Sequence, residues 1–208
     1  MSNVALLRAV NVGGTKLPMT DLRSLLEGLG LTNVRTYLQS GNAVFDADDD
    51  EPAAALATAI ETRIGRDIGP RVGVLVLPGE AMADIAASNP FLEGAATGGS
   101  TTTDTSILHA TFLFGSHGEA DFGEATESAY CAVYKAAFTK LELPAADGEE
   151  AAFVGAPPLA TPVVYLKLPH GYGRSKLSNA LFERKLGTAA TTRNWRTVTA
   201  LAEMAGAD

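Results

Sequence analysis

Apolar and polar positions change period along this chain, and the period assigns the elements. Asn3 to Val10 is an apolar run with β-branched residues that ends in a Gly-containing loop, the pattern of a central strand. After Pro18 the period becomes helical. Thr20 stands where a cap is expected, Asp21 falls in the first turn, and Leu22, Leu25, Leu26 and Leu29 form one stripe that Gly28 and Gly30 bring to a stop. Val34 to Gln39 and Ala43 to Asp46 read as two strands joined by the tight turn Ser40-Gly41-Asn42. Ala53 to Ile64 is a second helix and Arg71 to Leu77 a fourth strand. The order β-α-β-β-α-β is the ferredoxin-like pattern. A further helix runs from Pro78 to about Ala87, and Asn89-Pro90 ends it.

Glu93 to Asp104 is rich in Gly, Thr and Ser and predicts a flexible loop between two halves. The pattern then partly recurs. Leu108 to Phe114 predicts a strand, Ala120 to Lys140 a helix, and Ala151 to Val154 with Val163 to Leu168 a strand pair. Ser175 to Leu186 predicts a helix stopped at Gly187. Asn194 to Ala205 predicts a last helix, with Trp195, Val198, Leu201, Ala202 and Ala205 on one face. On this reading the second half closes on a helix where the first closes on a strand. The expected organisation is an N-terminal ferredoxin-like subdomain with its following helix over 1–92, a flexible loop over 93–105, and a C-terminal α+β subdomain over 106–208.

Composition narrows the class. Hydrophobic residues make up 46% and charged ones 19% of 208 residues, an ordinary globular balance. No apolar run approaches the roughly 18 residues that cross a bilayer. The N-terminus reads as a first strand rather than a signal peptide. A single cysteine, Cys131, allows no internal disulfide, and no Asn-x-Ser/Thr acceptor occurs, so a reducing cytoplasm is expected.

Charge changes the picture locally. The net charge of −8 argues against a general nucleic-acid binder. Between Val163 and Arg196, however, Lys167, Arg174, Lys176, Arg184, Lys185, Arg193 and Arg196 face only Glu183. A basic stretch on an acidic chain suggests a focused anion site, although a solvated helix face beside a basic loop would produce the same count.

Three segments carry candidate chemistry. Arg8 to Met19 contains Asn11, the pair Gly13-Gly14 and Lys16. Adjacent glycines let backbone N–H groups converge on an anion, though a plain strand-to-helix connection uses glycine equally well. The second segment is the hairpin, in which alternation puts Tyr37 and Gln39 on one face, and Gln39, Ser40 and Asn42 make a polar cluster larger than a tight turn requires. In the third, His170 to Ser178 is a Gly-rich loop entering a helix, with Ser175 a natural cap and Lys176 a cation. Thr191 to Trp195 then stands at the predicted start of the last helix, with Arg193 and Asn194 as its polar members. Trp195 is read as core. No nucleophile elbow or Ser-x-x-Lys is present, and the three histidines have no partner at metal-ligand spacing. The sequence therefore calls for no metal or cofactor and nominates no catalytic residue.

The words Ala5-Leu-Leu-Arg-Ala-Val-Asn-Val-Gly-Gly14, Pro18-Met19, Val34-Arg-Thr-Tyr-Leu-Gln-Ser-Gly-Asn-Ala-Val-Phe45 and Ala190-Thr-Thr-Arg-Asn-Trp-Arg-Thr-Val198 resemble an uncharacterised bacterial family, the domain of unknown function 1697, whose pattern also includes Ser175-Lys176-Leu177. The resemblance implies two ferredoxin-like α+β subdomains and no activity. Its motifs hold more amides and arginines than a fold needs, at Arg8, Asn11, Gln39, Ser40, Asn42, Arg193 and Asn194. The leading expectation is a small anionic or nucleotide-like ligand bound in a cleft between the subdomains. The alternatives are a transferase or hydrolase acting on a phosphorylated or nucleotide substrate, and RNA or DNA binding through a ferredoxin-like sheet.

Overall fold

The structure is a computed structural model and describes residues 1–11, 16–69, 71–92, 104–115, 127–155 and 161–206, of which 127–131 by backbone alone. The chain divides into two compact units. One comprises Met1–Ala83 with Ala200–Asp208, the other Asp84–Thr199. The boundaries therefore fall within two helices, and the last residues of the chain belong to the first unit. The flexible loop expected over 93–105 lies outside the described residues except at its end.

In the first unit β1 (Ser2–Leu7), α1 (Met19–Glu27), β2 (Thr32–Thr36), β3 (Asn42–Asp46), α2 (Ala53–Asp67) and β4 (Val74–Pro78) are followed by α3 (Gly79–Ala87). The sheet is antiparallel, in the order β2-β3-β1-β4. β1 is central because its run from Asn3 to Leu7 is buried throughout and offers no polar face to water. Alternation sends Ala5, Leu7, Ala43, Phe45, Val74 and Val76 into one cluster with Leu22, Leu25 and Leu26 of α1 and Leu56, Ala57, Ile60 and Ile64 of α2. Each fully buried Leu or Ile there contributes roughly 2 kcal/mol of transfer free energy. α1 starts after Pro18, whose φ of −58° and ψ of 139° prepare the first turn. Thr20, expected as the cap, lies inside the helix and donates to Asp21 Oδ1 at 3.2 Å.

The second unit contains β5 (Leu108–Leu113), α4 (Glu127–Thr139), β6 (Glu150–Val154), β7 (Val163–Lys167), α5 (Asn179–Leu186) and β8 (Ala190–Asn194), followed by α6 (Trp195–Ala205). Its antiparallel sheet has the order β6-β7-β5-β8. Strand for strand this matches the first sheet. The expectation that the second half closes on a helix is corrected here. Residues 190–194 pair with β5 from Ala190↔Leu113 to Asn194↔His109, and the helix begins only at Trp195. Two β-branched threonines suit a strand as well as a cap, and the open edge of β5 decides between them. α5 is likewise shorter than expected. It starts at Asn179, because Tyr172–Arg174 form a separate 3₁₀ turn and Ser175 is extended. Leu113, Val164, Leu166, Leu168, Leu181 and Phe182 fill the core beneath these helices.

Candidate functional site

Two loops at one end of the first sheet are tied together by a single side chain. Asn11 Nδ2 donates to the carbonyl of Leu17 at 2.9 Å and to that of Gln39 at 2.6 Å, while Asn11 Oδ1 accepts from the N–H of Leu17 at 3.0 Å. The amide thus closes the β1–α1 loop on itself and binds it to the tip of the β2–β3 hairpin. Gly41 completes the contact. Its carbonyl accepts from the N–H of Leu7 at 2.8 Å, and at φ +73° a Cβ on it would sit 2.7 Å from Leu7 Cβ. Only glycine fits that approach.

The backbone of both loops is strained. Ala9, Asn11 and Leu38 have φ of 56°, 57° and 56°, in the left-handed region that costs an L side chain roughly 1–2 kcal/mol. Such residues persist where surrounding bonds over-determine them, and they cluster at functional surfaces.

Of the residues the sequence nominates in this unit, the structure gathers Arg8, Asn11, Lys16, Tyr37, Gln39, Ser40 and Asn42 into these two loops. Their roles differ. Asn42 is fully buried and donates to Tyr37 O at 2.8 Å and to Ser40 Oγ at 2.9 Å, so both polar side chains serve the turn. Arg8 is half-buried, and its N–H donates to Gly73 O at 2.8 Å. Lys16, Leu38 and the Gln39 side chain are exposed, and Tyr37 is half-buried. Gly13 and Gly14 lie outside the described residues.

Of the second-unit candidates, Arg193, Asn194 and Ser175 make bonds within their own segments. Arg193 is buried on β8 and donates to Thr191 Oγ1 at 2.7 Å and to Thr192 O at 3.0 Å. Burial lowers its pKa to about 10. Asn194 caps α6, its Oδ1 accepting from Thr197 N at 2.9 Å. Ser175 Oγ accepts from Leu177 N at 3.0 Å, and Lys176 is exposed. Trp195 is core, as expected, tilted against Tyr165 at 6.2 Å between ring centroids. A groove of about 500 Å³ runs between Asp104–Ser106 and Asn194–Thr199, and part of its polar wall is already bonded. Asp104 accepts from Ser106 N, and Thr199 Oγ1 donates to the carbonyls of Trp195 and Arg196.

One polar chain went unread in the sequence. Thr111, Thr192 and Asn179 are linked by their side chains, and Tyr172 stacks on His109. Thr111 reads as an ordinary strand residue and Thr192 as part of a helix start, so only pairing reveals them. Among the described residues no group of His, Cys, Asp and Glu could hold a metal ion, and no helix is long and apolar enough to cross a membrane.

A family model described as protein of unknown function (DUF1697) matches residues 1–142 of the 208. The word Ala190–Val198 lies beyond that stretch. Among solved structures, the conserved bacterial protein SP0830 from Streptococcus pneumoniae is similar over 98% of each chain, with 22% identity and a TM-score of 0.62, a likeness of fold. No curated protein matches the chain.

Proposed function

We propose, for a chain that belongs to the DUF1697 family of proteins of unknown function, that its first unit binds a small anionic or nucleotide-like ligand at the paired β1–α1 loop and β2–β3 hairpin. We read both units as ferredoxin-like on their strand order. The observation that carries the functional reading is the Asn11 bond to Gln39 O, which holds two strained loops against each other while Lys16 and the Gln39 amide stay exposed. Strain kept in place by such a bonding pattern is preorganisation, which lowers the ordering cost of binding. Lys16 supplies the charge for an anion, Gln39 supplies donors, and the half-buried Tyr37 offers a ring edge or face for a base.

A thermal-shift screen of the full chain against nucleoside phosphates and phosphorylated metabolites tests this reading. A ligand present at a hundred times its Kd raises stability by about 2.7 kcal/mol. Lys16→Ala and Gln39→Ala should remove that rise and leave the unliganded melting temperature unchanged, because both side chains are exposed. The reading fails if no compound stabilises the protein, or if the rise survives in both variants.

A further inference from the structure

The polarity of the hydrogen-bonded chain in the second unit fixes what its open end offers. Thr111 on β5 and Thr192 on β8 face each other across the strands, with hydroxyl oxygens 2.7 Å apart. Thr192 Oγ1 donates to Asn179 Oδ1 at 2.6 Å. A hydroxyl has one proton, so Thr111 must be the donor in the threonine pair. The chain runs from Thr111 through Thr192 to the Asn179 carbonyl oxygen, and the Asn179 NH₂ group is left as its open end.

A second group with the same polarity is bonded to the backbone of the same residue. The backbone N–H of Asn179 donates to Tyr172 Oη at 3.1 Å, so the phenol accepts there and keeps its own proton for another acceptor. The Tyr172 ring stacks on His109, with centroids 5.5 Å apart and planes 26° apart, and His109 is itself buried. Stacking and the Asn179 N–H together hold the phenol in place. Tyr172 and Asn179 are both half-buried, and neither directs its remaining donors to a partner among the described residues.

Each of the two side chains thus accepts a hydrogen bond and keeps its donors open. The group that satisfies these open donors without leaving a hydrogen unpaired is acceptor-only. Arg174 and Lys176 in the connecting turn are exposed cations, and no acid occurs from His170 to Phe182. We infer that Tyr172 Oη and the Asn179 side-chain amide form an oxyanion site for a phosphate or carboxylate group, attracted by Arg174 and Lys176. The first N–H of α5 is not part of it, being donated to Tyr172. The site does not rest on the ligand proposed for the first unit.

Titration of the ¹⁵N-labelled full chain with inorganic phosphate, and separately with acetate, tests the inference. The Asn179 side-chain amide signals should shift and saturate, and the anion with the lower Kd identifies the preferred source. Tyr172→Phe keeps the ring stack and removes one donor, and should weaken binding about tenfold. Asn179→Asp keeps an oxygen for Thr192 but replaces the donors with negative charge, and should abolish binding. Lys16→Ala should leave it intact, which separates this site from the first-unit loops. The inference is overturned if neither anion gives a saturating shift, or if Tyr172→Phe binds as tightly as the parent. If Asn179→Asp lowers the melting temperature, Tyr172→Phe decides alone.

Discussion

The guanidinium of Arg35 donates to the carbonyl of Met204 at 2.7 Å, joining β2 to the last turn of α6 across 169 positions of chain. Both residues belong to the first unit. The last four carbonyls of a helix have no partner within it, and a cation there also complements the negative end of the helix dipole. Arg35→Ala should lower stability by about 1 kcal/mol, the net value of an exposed charge-assisted bond. Arg35→Met keeps much of the stem and separates packing from the bond. Equal urea midpoints for Arg35→Met and the parent would remove the bond's role.

Gly41→Ala should cost about 3 kcal/mol, because the new Cβ meets Leu7 Cβ at 2.7 Å and Val10 Cβ at 3.3 Å while φ stays at +73°. Leu38→Gly has the opposite sign. Leu38 is 54% exposed at φ 56°, so removing the side chain relieves the backbone and loses little burial. A gain of about 0.5 kcal/mol in equilibrium denaturation is expected once the extra freedom of glycine in the unfolded chain is subtracted.

Thr192→Val should cost about 2 kcal/mol. It keeps the shape of the side chain but leaves Thr111 Oγ1 without its acceptor and Asn179 Oδ1 without its donor. Thr192→Ser retains the hydroxyl and should recover most of the loss. Denaturant midpoints for the two variants that fall together would place the cost in the methyl group instead.

Burial holds the His109 pKa below its ordinary value of 6.5, with a weaker opposing contribution from the Ile107 carbonyl. The unfolded chain therefore binds the His109 proton more readily than the folded one. Its contribution to stability is complete above the ordinary value and is lost as the pH falls below it. His109→Phe should flatten the melting-temperature profile between about pH 7 and pH 5. Asp67 acts in a lower window. The side-chain bonds from Arg66 and then Arg63 hold its pKa at about 2, so its contribution disappears only between the ordinary 3.8 and that value. A profile for His109→Phe with the same slope as the parent from pH 7 to pH 5 would discard the assignment.

The sequence by itself determined the elements whose signal is local. The run from Asn3 to Leu7 is a central strand because nearly every position is apolar, although the strand stops at Leu7 rather than at Val10, and Leu22, Leu25 and Leu26 bury one stripe because a helix returns to the same face every three or four residues. The Ser40-Gly41-Asn42 turn was legible for the same reason, and so was the family, whose N-terminal words are long and contiguous. Tertiary structure decided what depends on a distant partner. Residues 190–194 became a strand rather than a helix start because β5 had an unpaired edge to fill. Asn11 became a fastener of two loops because Gln39 O came within 2.6 Å of it. The open donors of Asn179 and Tyr172 follow from the direction of the hydrogen bonds that begin at Thr111 and at the Asn179 N–H, and no spacing along the chain records a direction. Periodicity encodes which face is buried, whereas whether a polar side chain is occupied or free is settled only when all its neighbours are in place.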